Sequence, residues 1–526
     1  MKEIRVKSRK SGEIPAGGRE TGSTPAGRQE TGDIPAESRR AGRTPAGEGG
    51  QTPAGSRGTG QRPIGGAGWC LAASVGLHIL AVVTHPTRPL DLRVYHEAAG
   101  HLLTGDLYDY ALRTGPPIPS LPFTYPPFAA LVFLAPSRLP WAVTVVLWQV
   151  LSVASLLIVA GCAVRLLGPL ADGRARNLAL LWTAVGLWLE PVRHTLDQGQ
   201  VNLLLGAVVM AGLALPVRPA ARGAAVGLAA AVKLTPAVAG LYLLATRQWR
   251  AAAWAAVTGA AATALAWCVA PGESARYWSG LMTDTRRMGP EWSVRNQSLR
   301  GALDRLLGTG HTATVVWLVA CLLVTALAAY ALWVTARRGD RLGALVVAEL
   351  YGLLVCPISW SHHWIWCVPA MVRLLHGPHG WRALDFLALA AWASAAGARV
   401  VPQLIRAEDH LAVAPGTYPA LLAWPGCVYV VCALLTLGAL CRGGGGAGPG
   451  GAVGGRGAAD SGVGAGPSGE RDRASAADAG GRTRAVVSSR RAAARRAVGR
   501  PARRAQGPWP WTAAPGPRCG CRWEAP

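Results

Sequence analysis

Residues 313–335 read ATVVWLVACLLVTALAAYALWVT. No Asp, Glu, Lys or Arg interrupts this run, and as a helix it is long enough to cross roughly 30 Å of hydrocarbon. Arg337, Arg338 and Arg341 follow it, and such a basic flank marks a cytoplasmic turn. Similar runs lie at about 67–84, 122–137, 139–165, 177–190, 201–216, 224–245, 251–270, 341–358, 361–376, 381–397 and 418–441. The chain is therefore predicted to be all-α. It reads as a polytopic protein of the cell membrane with about twelve transmembrane or re-entrant helices.

Composition agrees. Of 526 residues 51% are hydrophobic and 15% charged, and Trp (21) far outnumbers Phe (4). A soluble protein of this size would carry more charge. The formal net charge is +25, of which about +5 falls in residues 1–66 and about +10 in residues 442–526. Residues 1–66 hold a degenerate repeat (IPAGG, TPAGR, IPAES, TPAGE, TPAGS), and residues 442–526 are rich in Gly, Ala and Arg. Both read as disordered tails, because ordering them costs backbone entropy and buries almost nothing. Their basic character places both in the cytoplasm, where they can meet anionic membrane lipids. Nucleic acid is excluded as a partner, since nothing folded or aromatic is interleaved with these basic residues. The eleven cysteines include no C-x-x-C pair, and six of them sit inside apolar runs. They carry no metal or redox signal.

Arg247 and Arg250, then Arg373 and Arg382, mark further cytoplasmic turns. Strict alternation then puts 85–121, 271–312 and the turn near 359–363 outside. The same alternation puts residues 191–200 inside, although that segment also looks functional. Segment 122–137 is short and opens on prolines, so it reads as a dip into the bilayer as readily as a crossing.

The outer segments hold the chemistry. DLRVYHEAAG, residues 91–100, spaces Leu92, Tyr95 and Ala99 as the apolar face of a short surface helix, continued by Leu102 and Leu103. Asp91 has two readings there, a helix N-cap and a general base facing a sugar hydroxyl. In FTYPPF, 123–128, Tyr125 reads as a stacking platform for a sugar or lipid, or as part of an interfacial aromatic belt. In DQGQVN, 197–202, Gln200 and Asn202 are neutral amides suited to hydroxyl-rich ligands. In AVKLTP, 231–236, Lys233 stands inside an apolar run, where a lysine costs about 2.5–3.5 kcal/mol. It either has a partner or snorkels to the surface. WSVRNQSLRGAL, 292–303, offers Asn296, Gln297 and Arg300 in a row. PISWSHHWIW, 357–366, sets His362 and His363 between tryptophans. Adjacent histidines diverge on a helix and make a poor pair of ligands for one metal. One of them can donate to a phosphate oxygen, or both are interfacial packing.

The ordered set DLRVY, GDLY, FTYPPF, GQVN, AVKLTP, NQSLRG and SWSHHW resembles glycosyltransferase family 87, over about residues 67–441. These are actinobacterial polyprenol-phosphate-mannose-dependent α-mannosyltransferases of the GT-C superfamily. The resemblance implies a GT-C-type helical membrane domain at 67–441 with an extracytoplasmic cavity. It implies a polyprenyl-phosphate sugar donor, a glycolipid or glycan acceptor, and inversion at the anomeric carbon. It assigns Asp91 as catalytic base and places His362 and His363 near the donor phosphate, with Arg300 and Lys233 as further phosphate contacts. Tyr95, Tyr125, Gln200, Asn202, Asn296 and Gln297 become candidate sugar or acceptor contacts, and GQVN moves toward the cavity. No metal and no cofactor is expected, since a phosphate monoester leaving group needs less metal help than a diphosphate. A related enzyme using another polyprenyl-phosphate sugar, such as arabinofuranose, is the nearest alternative, and a lipid or sugar transporter is a more distant one.

Overall fold

The computed structural model describes residues 65–115, 120–378, 382–413 and 418–442. The repeat-bearing arm at 1–64 and the tail from 443 onward lie outside the described residues. Helix α1 (Gly66–Thr84) leads through Pro89 to α2 (Leu90–Ala98) and α3 (His101–Thr104). A two-residue hairpin follows, Ala111–Leu112 paired antiparallel with Leu121–Pro122. Then come α4 (Pro127–Phe133), α5 (Trp141–Leu166), α6 (Asp172–Gly186), α7 (Glu190–Gln198) and α8 (Asn202–Ala214). The chain continues with α9 (Pro219–Val232), α10 (Ala239–Ala245), α11 (Trp249–Val269), α12 (Pro271–Ser279) and α13 (Leu299–Leu307). Helices α14 (His311–Arg337), α15 (Arg341–Val355), α16 (Cys367–His376) and α17 (Ala383–Trp392) follow. The last described helices are α18 (Val400–His410), α19 (Ala420–Ala423) and α20 (Val428–Cys441).

The architecture is helical, as expected of a membrane protein. Helices α1, α5, α11, α14 and the α19–α20 segment are long and apolar enough to cross a bilayer. Two bent pairs, α7 with α8 and α17 with α18, raise that count from five to seven. The expected twelve is not reached by this measure, because several apolar runs fold as short or broken helices. Run 224–245 is the clearest case. It splits into α9 and α10 at Lys233, whose backbone is extended (φ −147°, ψ 130°) and is followed by Thr235–Pro236. The run at 122–137 yields only the seven-residue α4, entered through Pro126 and Pro127. The long helices present apolar side chains outward; Leu322 of α14 is 72% exposed. A face of that kind is tolerated when its solvent is lipid.

Packing between these helices follows small residues. A Cβ on Gly223 would stand 2.2 Å from the Ala251 carbonyl oxygen, and one on Gly227 would stand 2.4 Å from that of Ala255. Glycine thus lets the α9 and α11 backbones approach closely. Elsewhere, buried charge is paired. Arg373, expected at an exposed cytoplasmic turn, is buried and donates through Nε to Asp340 Oδ2 at 2.6 Å. Asp340 in turn accepts from the Gly343 N–H at the start of α15. Burial of an unpaired guanidinium would be costly, so this pair ties α16 to the α14–α15 turn.

Two features shape the site. The α7–α8 junction bends by 119° at Gly199, which holds φ +67°. A Cβ there would stand 2.5 Å from Leu92 Cβ, so glycine alone lets the turn lie against α2. Within residues 361–366, the Trp364 ring packs with those of Trp392 and Tyr429, centroids 5.5–6.0 Å apart. All three are fully buried and anchor the double-histidine segment in the core.

Candidate active site

Asp91 lies in the first turn of α2, after Pro89 at the cap position, and makes no capping hydrogen bond. The N-cap reading therefore fails. Its Oδ2 instead accepts from Gln200 Nε2 at 2.7 Å. Burial pushes the Asp91 carboxyl above the ordinary carboxylate range, while the Gln200 bond and the Lys233 charge pull it back.

Gln200 is oriented from both ends. Its Oε1 accepts from Tyr95 OH at 3.0 Å and Tyr125 OH at 3.1 Å, with Lys233 Nζ at 3.5 Å. Tyr95 stacks on Phe133 at 4.5 Å and is 2% exposed. Tyr125 is buried too, and the two phenol oxygens lie 2.7 Å apart. These rings were expected to meet a sugar; the structure uses them to aim an amide. The apolar face of α2 likewise packs into protein, with Leu92, Tyr95, Ala99 and Leu102 buried and only Leu103 exposed.

Lys233 does not snorkel. Where α9 ends, its ammonium turns into the protein and donates to Asn202 Oδ1 at 2.7 Å. It also lies 3.1 Å from His363 Nε2 and 5.3 Å from the centre of the Tyr125 ring. Asn202 Nδ2 and Thr195 Oγ1 both donate to the His362 carbonyl at 2.9 Å. The His362 and His363 rings stand at 82° to each other, 4.7 Å apart. Both His362 ring nitrogens and His363 Nδ1 are buried without a hydrogen-bond partner. Buried polar atoms are rarely left so, and each of the three can still make a hydrogen bond.

The structure thus brings Asp91, Gln200, Tyr95, Tyr125, Lys233, Asn202, His362 and His363 into one connected cluster. Residues 190–202 share that cluster with α2. The alternation that set 191–200 and 85–121 on opposite sides does not hold, because the bent α7–α8 pair turns back at Gly199.

Three expected contacts are absent from the cluster. Asn296 Nδ2 donates to the Glu291 and Pro357 carbonyls, and its Oδ1 accepts from the Ser298 and Ser359 N–H groups. Gln297 Nε2 donates to the Val294 and Gly426 carbonyls, and its Oε1 accepts from Tyr429 N–H. Both side chains are fully buried and clamp backbone; both N–H donors of each amide are used. Arg300 is committed to Glu291, Asp304 and Thr314 and lies over Trp317, instead of meeting a phosphate.

Sequence reading passed over His194. Its Nδ1 lies 2.7 Å from Ser361 Oγ and 3.5 Å from Glu190 Oε1, and its ring meets His362 edge-on at 5.1 Å. Glu190 is fully buried and accepts from Tyr429 OH at 2.5 Å. The available signal was EPVRHTLDQGQVN, 190–202, where four ionisable groups stand between two apolar runs.

Comparison with known proteins bears on what this cluster does. The sequence model of glycosyltransferase family 87 matches residues 123–359. A polyprenol-phosphate-mannose-dependent alpha-(1-2)-phosphatidylinositol pentamannoside mannosyltransferase of Mycolicibacterium smegmatis is 40% identical over 361 residues, 66% of this chain and 84% of its own. The chain belongs to glycosyltransferase family 87. The Mycobacterium tuberculosis protein with the same description is 38% identical, over 70% of this chain and 85% of its own. A phosphatidylinositol mannoside mannosyltransferase of M. tuberculosis, also polyprenol-phosphate-mannose-dependent, is 35% identical, over 61% of this chain and 80% of its own. No solved structure was found to match. The chain is accordingly a membrane glycosyltransferase. The family match stops short of Asp91 at one end and of the double histidine at the other, so their placement beside Gln200 and Lys233 is information from the fold.

Proposed function

We propose that this chain moves a mannosyl unit from a polyprenyl-phosphate donor to a hydroxyl of a mannosylated phosphatidylinositol or similar glycolipid, on the extracytoplasmic face and with inversion. The observation that carries the reading is the Asp91–Gln200–Lys233–His363 chain of contacts. It sets a carboxylate and a cation on opposite ends of one carboxamide. In a single displacement the attacking hydroxyl and the leaving phosphate occupy opposite sides of the anomeric carbon. A sugar ring lying across Gln200 would present its acceptor side to Asp91 and its phosphate side to Lys233.

Asp91 then takes the proton of the attacking hydroxyl as the new bond forms, a role worth about 10²–10⁴-fold. Lys233 and the two histidines meet the negative charge that builds on the departing phosphate. Gln200 holds the Asp91 carboxylate in place through its N–H. It presents its carbonyl to the two phenols and the ammonium, so its amide cannot turn over without losing all four contacts. His194, backed by Glu190 and Ser361, completes the histidine wall. The expected metal independence follows from the same picture, with protein cations in place of a bound ion.

The test is transfer by purified full-length protein, using labelled polyprenyl-phosphate-mannose and phosphatidylinositol mannosides. Labelled product of opposite anomeric configuration to the donor is expected, with activity retained in EDTA. No transfer from any polyprenyl-phosphate sugar would overturn the reading, and transfer of arabinofuranose alone would replace the donor.

A further inference from the structure

Helices that meet the candidate active site at one end are tied together at the other. Helix α8 carries Asn202 at its start and ends at Ala214, about 20 Å away at 1.5 Å per residue. Arginines from three other helices cap its last carbonyls, Gly212 to Leu215. Arg222 of α9 donates through Nε to the Gly212 carbonyl at 3.2 Å and through Nη2 to that of Leu215 at 3.4 Å. Arg341 of α15 donates to the Leu213 carbonyl at 2.9 Å, and Arg165 of α5 to that of Ala214 at 3.2 Å. Guanidiniums bound to neighbouring helical carbonyls stand within roughly 10 Å of one another.

Charge does not balance at this place. Arg165 lies in the last turn of α5, where a cation suits the helix dipole. Arg222 lies in the first turn of α9 and Arg341 opens α15, where the dipole disfavours one. The partial charges of two helix starts and two helix ends cancel, so the full charge of three guanidiniums remains. Arginine ion pairs among the described residues involve Arg93, Arg193, Arg276, Arg295, Arg300 and Arg373, and none of these three. Asp340 precedes Arg341, but its carboxylate is taken by Arg373 and the Gly343 N–H. Arg165 and Arg341 are exposed. Among the described residues, the terminal nitrogens of Arg165 and Nη1 of Arg341 have no hydrogen-bond partner. An apolar rim adjoins them. Leu215 is 40% exposed and Trp249 62%, and Trp249 follows Gln248, whose Oε1 accepts from Arg222 Nη1 at 2.6 Å. An exposed tryptophan beside arginines marks the boundary of hydrocarbon and headgroups.

We propose that Arg165, Arg222 and Arg341 form a binding site for the phosphate of an anionic phospholipid, at the end of the bundle opposite the candidate active site. Forked guanidiniums match phosphate oxygens in pairs, and basic pockets between membrane helices suit anionic headgroups. Arg165 and Arg341 supply the free N–H groups, and Arg222 adds charge. The apolar rim selects a lipid over a soluble phosphate ester, since the acyl chains gain a surface to lie on. This site does not depend on the transfer chemistry proposed above.

The experiment titrates full-length protein in detergent with phosphatidylglycerol, phosphatidylcholine or glycerol 3-phosphate and follows binding by native mass spectrometry. Phosphatidylglycerol should bind the wild type, and the pair Arg165→Gln with Arg341→Gln should weaken it by on the order of 10-fold. Glutamine keeps a donor for the α8 carbonyls, so the melting temperature without anionic lipid should hold. The pair Arg165→Lys with Arg341→Lys keeps the charge and should lose less. Removing exposed charge nearby, with Arg174→Gln and Arg176→Gln in α6, should leave binding within about 2-fold. Equal binding of phosphatidylcholine, equal loss in the α6 pair or unchanged binding in the glutamine pair would overturn the site. Glycerol 3-phosphate binding as tightly as the lipid would overturn the lipid assignment. A lower melting temperature with unaltered lipid binding would reduce the arginines to a clamp on α8.

Discussion

Two buried polar clusters stand in this protein, and their sequences look alike. One gathers Asn296, Gln297, Arg305 and the Pro357–Ser359 backbone. The other gathers Asp91, Gln200, Asn202, Lys233 and the double histidine. In the first, both amides are matched donor to acceptor with main-chain groups, and Arg305 donates to the carbonyls of Ser293, Asn296 and Gly426, with its Nε left without a partner. In the second, three ring nitrogens have no partner, and a half-buried carboxylate is held by a single amide. The first cluster is a clasp that fixes one loop to another. The second keeps more unpaired hydrogen-bonding capacity, which is what the proposed ligand site draws on. Residue type did not separate them; the fate of each polar atom did.

Mutations can break or sharpen this contrast. Asp91→Asn keeps the shape and a partner for Gln200 but cannot take a proton. Transfer should fall on the order of 10²–10⁴-fold with the melting temperature in detergent little changed. A variant that remains active would end the assignment of the base. Lys233→Met should lower kcat by on the order of 10²-fold through loss of charge at the leaving phosphate. That loss should appear in single-turnover rates at saturating donor; a change in KM alone would assign the lysine to ground-state binding.

Asn296→Ala belongs to the other side of the contrast. It strands buried carbonyl and N–H groups, each costing about 1–3 kcal/mol, so it should lower thermal stability while molecules that remain folded keep their KM values. Smallest in effect, Arg300→Gln should cost about 1 kcal/mol by loosening Glu291 and Asp304, and should leave donor KM within about 2-fold. A large donor KM effect for Arg300→Gln would move it back to the phosphate site.

The wild-type pH profile adds a further check. As the proposed base, Asp91 would have to be ionised, and burial raises its pKa. Activity should therefore fail as pH drops through a value above the ordinary carboxylate range. The acid limb of kcat/KM should lie there, and the residual activity of Asp91→Asn should lack it.

The helical class, the membrane setting and the family were legible in the sequence, and so were the members of the polar cluster apart from His194; Asn296, Gln297 and Arg300 were named with them and lie elsewhere. Apolar run length and charge position act locally, and short ordered motifs survive as text. Lys233 stood out for the same reason, as a charge where hydrocarbon was expected. The number of crossings was less legible, since hydropathy sees apolar composition and not the break at Lys233 or the bend at Gly199. Whether Asp91 capped its own helix or reached across to Gln200 was equally hidden. Each depends on a partner about a hundred residues away in the chain.

From its amino acids alone, then, this protein declared its solvent and its relatives, because both follow from composition and short-range pattern. Which polar side chains are matched by the fold and which keep unpaired atoms was decided only in three dimensions. Hydrogen-bond satisfaction is a property of pairs of atoms, and folding chooses the pairs.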